Sequence, residues 1–282
     1  CPGGGMVDTR DSKSLIFGCE SSSLSLGTIM KFKKSFSWKI FLYTINMKIH
    51  PIITQNSLQN IFYILEYGDT QALVIDPCDA KMCQDFLDEN QLTLEKICIT
   101  HEHHDHYSGV EWLWCPEIYA GEITAKNMPI FVPHIFQDEE VIFEYENISL
   151  KAIFTPGHAA GHMIFELLMD NTVVAIFSGD ALFQGWVWNT RTGNNEALFY
   201  SIQKFINYSD EVIIYSGHDY LQNNAGFIKK YIPEKSETVD EILEKKGNTL
   251  YFTNLWEERK YNPFLFVGKD EFIRLRNLRN TY

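Results

Sequence analysis

Thr100-His-Glu-His-His-Asp-His106 follows directly on the apolar run Ile97-Cys-Ile99, and this junction decides how the chain reads. His101, His103, Asp105 and His106 all carry metal-ligand groups, and they fall where a buried strand gives way to a loop that can gather side chains. In extended backbone, residues two apart point the same way, so His101 and His103 suit one ion. Asp105 and His106 lie beyond the turn and reach a second. Further along, His158 stands in Thr155-Pro-Gly-His-Ala-Ala-Gly-His162, Asp180 follows the apolar run 173–177, and His218 follows the run 212–215. Each of these groups also sits just past a strand-like segment. The expected assignment is His101, His103 and His158 to one site, Asp105, His106 and His218 to the other, with Asp180 bridging.

Imidazole and carboxylate without thiolate suit zinc, iron or manganese. The expected cofactors are two divalent ions per chain, zinc by preference, with iron or manganese as alternatives. Such a pair activates water at neutral pH and polarises a carbonyl or phosphoryl oxygen, which is most of what a hydrolase needs. A single histidine is more often a surface residue or a hydrogen-bonded core residue, and His50, His104 and His134 are read that way. His162 reads equally as a support for the site or as a residue with no role. Asp76 divides between a support and an ordinary Asp-Pro turn with Pro77. Trp112, Trp114, Trp186 and Trp188 read as core or pocket wall.

Composition narrows the function classes. The chain has 282 residues, 45% hydrophobic and 14% aromatic, enough for one large domain or one with an appendage. A formal net charge of −13, with no long basic run in the core, argues against a nucleic-acid partner and for a small substrate. All 6 cysteines lie in the first half, a poor disulfide framework, so free thiols in a reducing, cytoplasmic compartment are expected. No stretch approaches the roughly 20 apolar residues of a membrane helix, so no membrane partner is expected. Residues 1–46 show no sustained period; Lys31-Phe-Lys-Lys34 and the apolar run after it only faintly resemble a signal peptide. Met47 reads as the start of the folded chain, and 1–46 as an extension, disordered or artificial in origin.

From Met47 the pattern is strand after strand, then strands alternating with helices. Segments 49–54, 60–67, 71–75, 97–100, 117–120, 141–145, 148–154, 163–168, 172–178 and 211–216 read as strands, with 80–89 and 195–206 as helices.

Thr-His-X-His-X-Asp-His at 100–106, Thr-Pro-Gly-His at 155–158, Ser-Gly-Asp-Ala-Leu-Phe at 178–183 and Gly-His-Asp at 217–219 resemble the metallo-β-lactamase superfamily. Within it, Gly217-His-Asp-Tyr-Leu-Gln-Asn-Asn-Ala-Gly-Phe227 and Glu257-Glu-Arg-Lys-Tyr-Asn-Pro-Phe264 resemble the glyoxalase II (hydroxyacylglutathione hydrolase) family. The resemblance implies a four-layer αββα sandwich over 47–218 and a small helical substrate-binding domain over 219–282. It also implies hydrolysis of S-D-lactoylglutathione to glutathione and D-lactate by a hydroxide bridging the two metals. Asp105 and Asp180 then serve catalysis, Tyr220 faces the substrate, and Arg276 and Arg279 meet the carboxylates of glutathione. A solvated helix face explains the two arginines equally well.

One segment departs from the family pattern. Where many glyoxalase II sequences have Gly-Cys-Gly followed by a basic residue and Glu-Gly-Thr, this chain reads Gln184-Gly-Trp-Val-Trp-Asn-Thr-Arg-Thr-Gly-Asn194. Asn189 and Arg191 stand as candidate replacements in substrate binding. The alternatives are a persulfide dioxygenase with one iron, which would leave His106 and His218 idle, and another hydrolase of the same fold. A class B β-lactamase, a nuclease and a silent metal-binding module fit less well, given Asp180, the acidic charge and the complete ligand set.

Overall fold

The computed structural model describes residues 47–115, 117–190 and 194–282. The expectations placed on residues 1–46 and on Arg191 lie outside them. The first sheet runs in the order β1 (Met47–Ile53), β2 (Ile61–Tyr67), β3 (Gln71–Ile75), β4 (Thr93–Ile99), β5 (Glu117–Gly121) and β6 (His134–Phe136). Its first three strands are antiparallel, and β3 to β6 are parallel. The second sheet holds β7 (Val141–Tyr145), β8 (Ile148–Phe154), β9 (Met163–Met169), β10 (Thr172–Gly179) and β11 (Ile213–Ser216), antiparallel except for the β10–β11 pair.

The two-residue alternation of a strand explains the layers. Tyr63, Leu65, Leu73 and Ile75 of the first sheet pack with Leu150, Phe165, Leu167 and Phe177 of the second, forming the core between the sheets. Their chain neighbours Phe62, Ile64, Ala72 and Val74 face outward onto helix α1 (Ala80–Glu89), through Cys83 and Leu87. Ile164, Ile176 and Ile214 face outward from the second sheet. They meet Leu198 and Ile202 of α4 (Asn195–Gln203) and Phe272 and Leu275 of α8 (Lys269–Arg279). Strands buried on both faces read as unbroken apolar runs, which is why 61–65 and 163–165 lack polar alternation. Burying a side chain such as Phe165 contributes about 1.5–3 kcal/mol. The result is the four-layer αββα architecture with helices following β11.

Those helices are α5 (Leu221–Tyr231), α6 (Ser236–Lys246), α7 (Leu255–Tyr261) and α8. Helix α7 begins with a capping box, in which Asn254 accepts from the Glu257 amide and Glu257 accepts from that of Asn254. Two short helices, α2 (His104–Tyr107) and α3 (Glu122–Asn127), and the edge strand β6 have no signature in the sequence. Strand β4 begins at Thr93, ahead of the expected 97, because Thr93 to Lys96 alternate in exposure while pairing with β3. The helix expected over 195–206 tightens to a 3₁₀ turn at Lys204–Asn207.

Candidate metal centre

Every expected ligand lies beyond the carboxyl end of a strand or in a turn beside one. His101 follows β4, His158 lies between β8 and β9, Asp180 follows β10 and His218 follows β11. Since β10 and β11 are parallel neighbours, their ends deliver Asp180 and His218 side by side. His103 is in extended conformation and caps α2, whose first turn carries Asp105 and His106. Asp105 and His106 are therefore on a helical turn, where the sequence suggested loop.

The side chains converge in two sets. His103 Nδ1 lies 2.9 Å from His101 Nε2 and 2.8 Å from His158 Nε2. Asp180 Oδ2 lies 3.4 Å from His158 Nε2, while Asp180 Oδ1 is 3.3 Å from His106 Nε2 and 3.4 Å from His218 Nε2. Asp105 Oδ2 stands 3.6 Å from His218 Nε2 and 3.9 Å from His106 Nε2. One carboxylate thus presents a different oxygen to each imidazole set.

Four rings have their direction fixed from behind. His106 Nδ1 donates to Asp76 Oδ2 (2.9 Å), His158 Nδ1 to the Asn189 carbonyl (2.8 Å) and His218 Nδ1 to the Leu58 carbonyl (2.8 Å). The Thr100 hydroxyl donates to Asp76 Oδ2 at 2.6 Å and therefore accepts from His101 Nδ1 at 2.9 Å. In its neutral form each ring spends its one proton on Nδ1 and turns its Nε2 lone pair to the centre. The lone pairs of His101 and His158 both crowd His103 Nδ1, where one proton can satisfy only one of them; a cation among the three satisfies all. In the second set, His106 Nε2 and Asp180 Oδ1 are buried without a hydrogen-bond partner. A Cβ at Gly217 would stand 2.6 Å from Asp180 Oδ1 and 2.7 Å from His106 Cε1, so glycine keeps this space open. The donor set and these orphaned atoms fit two divalent ions.

Electrostatics prepare the sets differently. Burial, with repulsion from its neighbours, holds His101 well below the usual imidazole range, and burial pushes His158 down to about 3. Burial also opposes charge on His106, yet Asp180 and Asp76 outweigh it and raise its pKa well above the ordinary value. Burial would raise Asp180, but His218 and His106 hold it well below the carboxylate range. Asp105 is lowered likewise, by His106 and by the Asn60 amide.

Of the supporting residues, Asn60 carries no signal in the sequence, while Asp76 and His162 each leave a supporting role open there. Asn60 Nδ2 donates to Asp105 O at 2.9 Å and to Asp105 Oδ2 at 3.1 Å, and Asn60 bridges through its backbone to His218. Asp76, with φ 54°, turns its carboxylate onto Thr100 N (2.7 Å) and the Thr100 hydroxyl as well as His106, so it both makes the Asp-Pro turn and supports the site. His162 Nε2 accepts from the Asp180 amide at 3.0 Å, placing His162 beneath the carboxylate. His134 instead stacks on Tyr119, and His50 pairs with Glu66.

Of the expected substrate residues, Asn189, Arg276 and Arg279 line one cavity of about 290 Å³ with Trp186, Trp188 and Asn280. The Tyr220 ring lies parallel to those of Trp188 (4.8 Å) and His218 (4.9 Å), and the Trp188 and His218 rings are themselves 5.8 Å apart. Trp188 is therefore a wall shared by the metal centre and the cavity. Arg276 is no solvated helix residue: it is 2% exposed and donates to the Val187 carbonyl and Asn280 Oδ1. Burial lowers its pKa to about 10. Arg279 is half-buried and donates to Asn223 Oδ1.

A two-sheet sandwich that delivers histidines and aspartates from its strand ends in this order defines a class, and the chain belongs to the metallo-beta-lactamase superfamily, whose family model matches residues 57–218. The fold is similar to that of the metallo-beta-lactamase from Staphylococcus aureus subsp. aureus COL, with a TM-score of 0.60 and 22% identity over 80% of this chain and 65% of that one. It is also similar to ETHE1 from Myxococcus xanthus, with a TM-score of 0.61 and 24% identity over 83% and 92%. Among curated relatives, the chain is 30% identical over 259 residues to hydroxyacylglutathione hydrolase of Francisella philomiragia subsp. philomiragia, covering 84% of this chain and 100% of that protein. It is 33% identical over 234 residues to hydroxyacylglutathione hydrolase of Glaesserella parasuis, covering 79% and 95%. No helix among the described residues is long and apolar enough to cross a membrane. Among the described residues, Cys78, Cys83, Cys98 and Cys115 are free thiols.

Proposed function

We propose that this chain is a dinuclear metal-dependent thioester hydrolase of the hydroxyacylglutathione hydrolase type, splitting S-D-lactoylglutathione with water into glutathione and D-lactate. The observation that carries the reading is the placement of Asp180, whose two oxygens face two separate imidazole sets beside a cavity lined by Trp188, Arg276 and Arg279. The curated relatives, matched over almost their whole length, supply the substrate class.

His101, His103 and His158 would hold one divalent ion, Asp105, His106 and His218 the other, with Asp180 shared. Ions held there supply the Lewis acid that polarises the thioester carbonyl and makes water nucleophilic near neutral pH. The chain's own groups do the rest. Asp105, kept ionised by His106 and Asn60, accepts a hydrogen bond from the attacking water and aligns it with the carbonyl carbon. Trp188 and Tyr220 offer flat apolar faces that exclude solvent from the scissile bond. Arg276 and Arg279 give the cavity positive charge to meet the carboxylates of the carrier peptide. As the new C–O bond forms, the C–S bond breaks, the carrier leaves as thiolate and the proton given up by the water passes to solvent. A thiol pKa of about 8.5 makes a dedicated general acid unnecessary.

The test is metal analysis of the purified protein alongside an S-D-lactoylglutathione assay with oxygen uptake monitored. Two ions per chain and release of free thiol are expected. One iron per chain with oxygen consumption would overturn the reading in favour of a dioxygenase.

A further inference from the structure

The segment from Phe183 to Asn189 forms a strap between two of the candidate ligands. It leaves β10 just after Asp180 and ends at Asn189, whose carbonyl accepts from His158 Nδ1 at 2.8 Å. Its first part is a tight hairpin: Phe183 N donates to Trp186 O at 2.8 Å and Trp186 N to Phe183 O at 3.1 Å, with Gln184 and Gly185 at the turn. Gly185 has φ +72°, and a Cβ there would stand 2.5 Å from Tyr261 Cε2. Only glycine lets the strap come this near to α7.

Glu258 of α7 is what it meets. This carboxylate is 0% exposed and receives the Gly185 N–H on both oxygens, at 3.0 and 3.2 Å. Thr253 Oγ1 (2.5 Å), Tyr261 Oη (2.8 Å) and Asn262 Nδ2 (2.8 Å) donate to it as well. Both partners of Oε2, the Gly185 amide and the Asn262 amide, are N–H groups that can only donate, so that oxygen is an obligate acceptor. A buried carboxylate costs several kcal/mol of desolvation, and apolar packing would anchor α7 at less cost. The arrangement makes sense if the main-chain N–H of the strap must be held at one place.

We propose that Glu258 is a positioning residue for His158. By gripping Gly185 it sets the path of the strap, and with it the Asn189 carbonyl that fixes the tautomer and direction of the His158 ring. The helices after β11 thereby govern the first metal set as well as the cavity. This rests on the metal centre proposed above, not on the choice of thioester.

The experiment is titration of metal-free wild type, Glu258→Ala and Glu258→Gln with Co²⁺, followed by visible absorption. In Glu258→Ala, one of the two Co²⁺ equivalents should weaken by about 10–100-fold, as when groups supporting a ligand are removed elsewhere, with altered bands and lowered kcat at nearly constant KM. Glu258→Gln keeps an oxygen acceptor for Gly185 and can turn its amide toward the hydroxyls of Thr253 and Tyr261, so it should stay within about threefold of wild type. If Glu258→Ala does not fold, Glu258→Asp carries the test, since it withdraws the acceptor from Gly185 by one methylene. Wild-type Co²⁺ affinity and spectrum in the Ala or Asp variant would overturn the proposal, as would a Gln variant impaired as severely as Ala. A wild type that binds no Co²⁺ would instead overturn the metal centre itself.

Discussion

The side-chain amide of Asn60 is bonded to Asp105 twice, to its carbonyl at 2.9 Å and to its carboxylate at 3.1 Å. Asn60 also bridges through its main chain to His218, so a residue with no charge of its own touches two groups of the second set. Removal of such a support usually weakens a metal site by about 10–100-fold. Asn60→Ala should therefore lower affinity for one ion of the two by that factor, read by competition with a chelator. Equal release of both ions, or wild-type affinity for both, would refute this role.

Asp180→Ala removes the carboxylate that serves both sets, one oxygen to each, and leaves His106 and His218 without their common counter-charge. Breaking a buried charge pair costs about 3–5 kcal/mol. The expected outcome is loss of ions from both sets, measured as metal per chain after dialysis. A variant that still holds two ions would show that the carboxylate does not bridge.

Acid should empty the two sets in sequence. Asp180 and Asp76 raise His106, so in the metal-free protein an ion entering the second set must displace a proton, and its affinity rises with pH. Burial keeps His101 and His158 unprotonated, with His158 shifted down to about 3, so these two ligands of the first set do not face that competition in mild acid. Dialysis from about pH 8 to about pH 5, the range in which ordinary imidazoles titrate, should take the protein through a state with one ion per chain. Simultaneous loss of both ions would contradict the difference.

Arg276→Ala separates two roles of one side chain. Loss of charge in the cavity should raise KM for a glutathione thioester with little change in kcat. Loss of the bond to the Val187 carbonyl should also cost about 1–3 kcal/mol of stability, visible as a lower Tm. A lower Tm with unchanged KM would assign Arg276 to structure alone.

The two sheets were legible because strands buried on both faces spell apolar runs, and the ligand groups were legible because each interrupts such a run with a histidine or an aspartate at its end. Asn60 was not legible: an asparagine beside a strand has no pattern, and its value lies in a contact to Asp105, 45 positions away. Asp76 was ambiguous for a physical reason, since the left-handed turn that Asp-Pro permits is the same turn that swings its carboxylate onto Thr100 and His106. Arg276 was ambiguous too. The spacing in 274–279 admitted a solvated face as readily as a basic pair facing a ligand. Only the packing of helix α8 over the strap, which buries the side chain, removes the first of these.

The strap touches His158 through the main-chain carbonyl of Asn189, an atom that nearly every amino acid supplies identically. The side chains of Trp188 and Asn189 can therefore be redesigned to admit other acyl carriers while His158 keeps its partner. Selection can act on what the cavity accepts while the carbonyl that steadies His158 stays in place, and the departure from the family pattern at Trp188 and Asn189 lies at that point.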